Sequence, residues 1–165
     1  VMDFGALQCT PAQPGCADCP LASRCLALAA GTVAERPVKQ TKTKVRDRWF
    51  NYLHVTCGDR TLLRRRGEGD IWQGLYEFPM IETDRAADFS ELTASEEFRT
   101  VLGGVEWRLL RSVAMPRHQL SHQTLHAVFH RIEIFSPVDF PSVPTATLGD
   151  YAVPRLIDRY LDRQP

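Results

Sequence analysis

Four of the five cysteines of this chain lie within one stretch of seventeen residues, which reads CTPAQPGCADCPLASRC. The spacing is C-x6-C-x2-C-x5-C, formed by Cys9, Cys16, Cys19 and Cys25. Thiolates this close together are ligands in zinc sites and in iron–sulfur clusters. Structural zinc usually takes two CxxC pairs, whereas here one CxxC is flanked by single cysteines, and the prolines between them favour an irregular loop. Disulfides suit secreted domains, and we expect no secretory signal in the opening VMDFGAL.

Histidines form a second group that could do chemistry, since they recur at every fourth position, as His118, His122, His126 and His130. On a helix this spacing would give a stripe suited to a metal ion. However, Val128, Phe129 and Ile132 favour a strand, along which four histidines lie too far apart for one ion. We therefore expect His126 and His130 to be structural. Cys57, on a predicted strand, is interpreted as a small buried apolar residue.

The formal net charge of zero hides an uneven distribution of charge. Between Arg36 and Arg66 there are ten basic residues and two acidic ones, and between Gly67 and Glu106 ten acidic residues and two basic ones. A basic run beside a cysteine cluster is compatible with phosphate contacts, but such runs are more often solvated faces. Both interpretations stay open at this point.

The length of 165 residues, with 44% hydrophobic and 24% charged residues, is typical of one globular domain plus a small appendage. No apolar run approaches the roughly 18–20 residues of a membrane span, so we expect a soluble protein. The end of a helix over residues 1–8 precedes the cysteine loop, and LALAAG (26–31) predicts a helical turn ended by Gly31. A charged segment follows without apolar periodicity and is interpreted as a linker.

From Trp49 the pattern changes to that of strands, and WFNYLHVTC and TLLRRR predict a hairpin that turns at Gly58-Asp59. IWQGLYEFPMI is interpreted as a further extended run. Thr93 and Glu96 have the spacing of a capping box before a helix that ends at Gly103. Two more strands, VEWRLLRSVAM and TLHAVFHRIEIF, and a helix in VPRLIDRYL complete an α+β domain.

Several segments resemble one family of DNA repair enzymes. The cysteine spacing after MDFGAL is similar to the [4Fe–4S] loop that ends the glycosylase domain of the endonuclease III and MutY family. IWQGLYEFP, RHQLSHQTLH and YAVPRLIDRYL resemble the carboxy-terminal domain of MutY-type adenine DNA glycosylases. The resemblance implies a MutT-like (Nudix-like) mixed-sheet domain over 47–165, a linker over 31–46, and the end of a glycosylase domain with its cluster loop over 1–30.

The same resemblance implies a function. The parent protein is expected to be a cytoplasmic adenine glycosylase that removes adenine opposite 8-oxoguanine in double-stranded DNA. Its cofactor would be a [4Fe–4S] cluster held by the four cysteines. The catalytic residues belong to an amino-terminal domain that this sequence does not contain, so the chain by itself is expected to be inert. The linker could also contact protein partners.

In that family a Phe-Ser-His loop reads 8-oxoguanine, and the corresponding residues here are Leu120, Ser121 and His122. The serine hydroxyl can accept a hydrogen bond from N7–H of 8-oxoguanine or donate one to its O8. Leu120 replaces the aromatic residue and is expected to act as an apolar wedge against the bases. We expect His118 to approach DNA as well, and the linker lysines to contact phosphates, namely Lys39, Lys42 and Lys44.

Active Nudix hydrolases carry a helix with R-E-x-x-E-E, whose carboxylates hold magnesium beside a diphosphate. Here the nearest acidic pair, Glu96-Glu97, lacks the rest of that motif. The domain is therefore interpreted as a recognition module without hydrolysis. Two alternatives remain, an independent nucleotide pyrophosphatase and a non-catalytic scaffold for protein contacts.

Overall fold

The computed structural model describes residues 2–38 and 45–163. The chain divides into two compact units, Val1–Lys44 and Val45–Pro165. No helix within the described ranges combines the length and the apolar character that crossing a bilayer demands.

The first unit contains short helical segments joined by loops. Helix α1 (Met2–Leu7) leads into the cysteine loop, which contains one 3₁₀ turn at Ala22–Arg24. Helix α2 (Leu26–Ala29) follows, and a second 3₁₀ turn spans Val33–Glu35. Gly31 has φ of 68° just beyond α2, as expected for the residue that ends this helical turn. None of residues 2–38 is buried, so this part of the unit has no hydrophobic core of its own.

The second unit is built around two long parallel strands, β1 (Arg46–Cys57) and β8 (Gln123–Ile134), which pair from Arg46↔Gln123 to Thr56↔Glu133. On the far side of β1 lie β2 (Arg60–Leu62) and β5 (Met80–Thr83), both antiparallel to it. On the far side of β8 lie β6 (Trp107–Ala114) and β7 (His118–Gln119). Strand β9 (Ser142–Pro144) pairs with β2, and β3 (Arg64–Arg65) and β4 (Tyr76–Glu77) form a separate ribbon.

The central strands are buried on both faces, because successive side chains point to opposite sides of the sheet. On one face Phe50, Tyr52 and Phe129 belong to a cluster completed by helix α5 (Arg155–Leu161). On the other face Leu53 and Ile132 pack with α3 (Phe89–Thr93) and α4 (Glu96–Leu102). A mixed sheet between helices confirms the predicted α+β class.

Local signals predicted β1, β6, β8, α4 and α5, whereas α3, β7 and β9 were not predicted, and two predictions need correction. The hairpin at residues 58–59 and the stop of α4 at Gly103, whose φ is 57°, are as predicted. The predicted capping box at Thr93 and Glu96 is wrong. Ser95 caps α4 by accepting a hydrogen bond from Phe98 N, while the Thr93 hydroxyl donates to Ser90 O within α3.

The second correction concerns the segment predicted to be one extended run over residues 71–81. Residues 71–74 form a turn, in which Leu75 N donates to Trp72 O at 3.1 Å and Gly74 N donates to Arg66 O at 3.1 Å. Only Tyr76–Glu77 and Met80–Thr83 are strands. The turn is called the tryptophan turn below. Trp72 has φ of 63°, the left-handed region in which bulky side chains are rare.

Candidate metal centre and nucleic-acid interface

The cysteine loop is a series of tight turns held by backbone hydrogen bonds. Gly15 N donates to Gln8 O at 2.9 Å, which closes the loop between the first two cysteines. Cys19 N donates to Cys16 O at 3.3 Å across the CxxC segment. Cys25 precedes α2, and its Sγ accepts a hydrogen bond from Leu28 N at 3.4 Å.

All four predicted ligands line one cavity of about 240 Å³ within the first unit, namely Cys9, Cys16, Cys19 and Cys25. All are free thiols, and so is Cys57, which is half-buried at the end of β1 in the second unit. Within residues 2–38 and 45–163, no three His, Cys, Asp or Glu side chains are placed to hold a single metal ion. The loop therefore brings the four cysteines to one cavity.

The predicted recognition loop is the tip of the hairpin between β7 and β8. Leu120 N donates to Gln123 O at 2.8 Å, which defines a turn over residues 120–123, called the hairpin turn below. Ser121 and His122 are exposed at this tip, whereas Leu120 is half-buried and packs against the core cluster that contains Phe50. Ser121 and His122 are thus accessible at the tip of the hairpin, whereas Leu120 points toward the core.

His118 lies on β7 beside the hairpin turn and contacts the tryptophan turn. Its ring meets that of Trp72 at 6.0 Å between centroids, with 62° between the planes. Partial burial, and after it the charge of Arg159, lowers the pKa of His118 below its ordinary value of 6.5. The lowered pKa favours the neutral imidazole of His118, which can donate or accept a hydrogen bond.

The other histidines of the four-residue repeat have partners within the fold. His126 stacks on Trp49, with ring centroids 4.9 Å apart, and its Nε2 lies 2.7 Å from Asp47 Oδ1. His130 is buried, and its Nδ1 lies 2.8 Å from Ser112 Oγ. Burial lowers the pKa of His130 to about 4. The predicted linker lysines, Lys39, Lys42 and Lys44, lie outside the described residues.

Sequence reasoning missed a network of charged side chains beneath the hairpin turn, in which both arginines and Glu77 are buried and two carboxylates reach solvent. Arg48 is only 6% exposed and binds two carboxylates, Glu82 (2.5 and 2.7 Å) and Asp70 (2.6 and 2.8 Å). Arg66 binds the buried Glu77 and, at 2.8 Å, Asp70. Hydrogen bonds to Glu82, and after them hydrogen bonds to Asp70, raise the pKa of Arg48 above its ordinary value. The hydrogen bonds that Arg48 donates are also the main reason why the pKa of Asp70 falls to about 2.

This network shows that two arginines of the basic run over residues 36–66 are neither solvated nor free for phosphate, whereas five others are exposed, namely Arg36, Arg46, Arg60, Arg64 and Arg65. Arg48 and Arg66 are both buried and both neutralised by carboxylates from the acidic half of the chain. One feature of the sequence could have indicated that Arg48 is buried. Arg48 falls on the same strand face as Phe50 and Tyr52, which belong to the core.

Helix α4 carries Glu96 and Glu97, the acidic pair that comes nearest to the magnesium-binding motif of active Nudix hydrolases. Glu97 is exposed on α4, and the residues three and four positions later are Thr100 and Val101. A cavity of about 310 Å³ beside the helix is lined by these three residues together with Glu96 and Arg64. The carboxylates on this face of α4 are therefore the adjacent pair Glu96 and Glu97. The positions one turn further along the helix carry Thr100 and Val101 and no carboxylate.

Comparison with known proteins adds to this geometry. The family described as NUDIX domain matches residues 51–163. Adenine DNA glycosylase of Buchnera aphidicola subsp. Schizaphis graminum (strain Sg) is 25% identical over 137 residues, which cover 78% of this chain and 35% of that protein. Adenine DNA glycosylase of Arabidopsis thaliana is 30% identical over 102 residues, covering 53% of this chain and 16% of that protein.

Among solved structures, the MutT protein from Methanosarcina mazei Go1 is similar in fold, with a TM-score of 0.51 at 13% identity, covering 75% of this chain and 95% of that one. The matches confirm the predicted MutT-like fold and the resemblance to adenine DNA glycosylases of the MutY type. The chain spans 35% and 16% of the lengths of the two curated relatives.

Proposed function

Because the chain belongs to the NUDIX domain family and is related to adenine DNA glycosylases, we propose that it recognises 8-oxoguanine for an enzyme that removes the adenine opposite that base. The observation that carries the proposal is the hairpin turn. It presents Ser121 and His122 to solvent at the end of a long, paired strand, whose backbone is fixed by β1.

The chemistry of this turn suits the lesion. 8-Oxoguanine differs from guanine in having a hydrogen on N7 and an oxygen at C8, and the Ser121 hydroxyl can bond to either group. His122 is exposed and can bond to a base or to a phosphate. Leu120 packs inward, so its part is to anchor the turn on the core and to leave Ser121 and His122 as the groups in contact with DNA.

Binding to lesion-containing DNA tests this role. The chain is expected to bind a duplex with 8-oxoguanine opposite adenine more tightly than the same duplex with guanine, as measured by fluorescence anisotropy at one salt concentration. Ser121→Ala should reduce that preference by about three- to tenfold, which corresponds to one hydrogen bond. Ser136→Ala is the matched control, because Ser136 is exposed just beyond the opposite end of β8. Equal binding of both duplexes by the unaltered chain would contradict the proposal.

The proposed cofactor is a [4Fe–4S] cluster held by the four cysteines. Four thiolates are the usual donor set of such a cluster. The four cysteines line one cavity of about 240 Å³, so one cofactor bound there could be held by all of them. When bound, the cluster would cross-link a segment in which none of residues 2–38 is buried.

Metal analysis tests the cofactor. The chain purified without oxygen is expected to contain about four iron atoms and to absorb visible light as a cubane does. Cys19→Ser should lose most of the iron, because it removes one of four ligands, whereas Cys57→Ser should retain it. Zinc in place of iron, or undiminished iron in Cys19→Ser, would show that the cysteines do not hold this cluster.

No step of adenine removal is assigned to this chain. That reaction needs an acid for the base and a carboxylate for the sugar cation, and these groups are proposed to lie in another part of the enzyme. Nucleotide hydrolysis is a weaker candidate, since α4 has Thr100 and Val101 where further carboxylates would stand. Release of pyrophosphate from 8-oxo-dGTP with magnesium would support that second function instead.

A further inference from the structure

Two turns that are far apart in sequence meet beside the hairpin tip. The tryptophan turn (residues 71–74) and the strand that leads into the hairpin turn (residues 120–123) are in contact through Trp72 and His118. Trp72 also meets Phe50 of β1, with ring centroids 6.4 Å apart. The left-handed φ of Trp72 carries a cost that surrounding contacts must offset.

One side chain beneath these turns is bonded toward both of them. Arg48 Nη1 donates to Gln123 Oε1 at 3.1 Å, and Gln123 is the last residue of the hairpin turn. The same nitrogen donates at 2.6 Å to Asp70, the residue immediately before the tryptophan turn. Asp70 in turn accepts from Ile71 N at 2.7 Å, which fixes the first peptide of that turn.

Backbone hydrogen bonds complete the support of the hairpin turn. Arg46 N donates to His122 O at 3.0 Å, and Gln119 Nε2 donates to Gln123 O at 3.3 Å. The backbone next to Ser121 is thus fixed by hydrogen bonds from Arg46, at the start of β1, and from Gln119. The Arg48 guanidinium is the group that links this support to the second turn.

We propose that Arg48 is a positioning residue for lesion recognition, which fixes the hairpin turn and the tryptophan turn to each other by bonding Gln123 and Asp70 at once. The inference rests on the proposed function, because it assigns to Arg48 the task of holding Ser121 at one position relative to the DNA. A guanidinium is required, since it binds two carboxylates through paired hydrogen bonds and still has a donor for Gln123. Lysine keeps the charge but has no planar fork.

Arg48→Lys tests the inference through discrimination as well as stability. The ratio of affinities for the 8-oxoguanine and guanine duplexes should fall by about threefold or more, up to the loss seen in Ser121→Ala, because Arg48 contributes only by holding Ser121 in place. In a Ser121→Ala background the same change should leave the ratio where Ser121→Ala alone put it, because Arg48 acts through Ser121. Arg64→Lys is the matched control, since Arg64 pairs with Glu77 in the same network but lies on β3, half exposed.

A second variant keeps the test decisive if Arg48→Lys does not fold. Gln123→Met removes only the bond to the hairpin side and leaves both carboxylates on Arg48, and it should lower the ratio about threefold. Full discrimination in the folded Arg48 and Gln123 variants, together with its loss in Ser121→Ala, would overturn the inference and leave the proposed function standing. An unaltered chain that binds both duplexes equally, or neither, overturns the proposed function and the inference with it.

Discussion

Phe129→Ala is expected to lower the free energy of unfolding by about 4 kcal/mol, since burying a phenyl ring is favourable and the cavity left behind relaxes only in part. Phe129 is fully buried on β8. Its ring stacks on that of Tyr160 at 3.9 Å between centroids and on that of Tyr52 at 4.8 Å. The substitution therefore removes the middle ring of a stack that joins β1, β8 and α5.

Urea denaturation of the second unit, followed by tryptophan fluorescence, measures this loss as a lower midpoint at unchanged slope. Phe135→Ala is the matched control, because Phe135 follows directly after β8 and is 56% exposed. It should change stability by less than about 1 kcal/mol. Equal losses in the two variants would show that the ring stack is not what holds α5 on the sheet.

Glu77→Gln is expected to lower the free energy of unfolding by about 3 kcal/mol, the lower end of the range for breaking a buried ion pair. The Glu77 side chain is 2% exposed and pairs with Arg66, which is 6% exposed, and with Arg64 at 3.2 Å. Glutamine has nearly the same shape but leaves the Arg66 charge balanced by Asp70 alone. Burial prevents water from compensating for the missing charge.

The same substitution at an exposed pair provides the control for Glu77. Glu133 on β8 pairs with Arg108, whose side chain is 63% exposed, and Glu133→Gln should cost less than about 1 kcal/mol. Added salt should weaken the Glu133 effect further and leave the Glu77 effect nearly unchanged, because buried pairs are screened much less. A Glu77 variant as stable as the Glu133 variant would mean that the buried network contributes no net stability.

Much of the secondary structure could be predicted from the sequence, because strands, turns and helix ends depend on residues that are close together along the chain. Alternating and aromatic-rich runs predicted β1, β6 and β8, and Gly58 and Gly103 marked a turn and a helix end. The error at Thr93 has a local cause, and the error over residues 71–74 has a tertiary one. Ser95 competes with Thr93 for the helix start, and the apolar residues of the tryptophan turn serve packing in place of pairing.

Lys39, Lys42 and Lys44 remain predictions for DNA contact, as do the roles of Ser121 and the four cysteines.

The partners of Arg48 lie 22, 34 and 75 residues further along the chain, and no local spacing connects them. Nor could the sequence separate the buried Arg66 from the exposed arginines around it, whereas Arg48 was marked by the strand face that it shares with Phe50. Charge along the chain says nothing of burial until the strands are placed.

The sequence by itself determined the elements whose cause is local: the cysteine spacing, the strand runs and the loop between two strands that holds the serine-histidine pair. The tertiary structure alone decided that Leu120 faces inward, that His118 meets Trp72, and that one buried arginine joins two turns. The physical reason is that a buried charge is tolerated only where partners converge on it, and only the packed sheet brings those partners together.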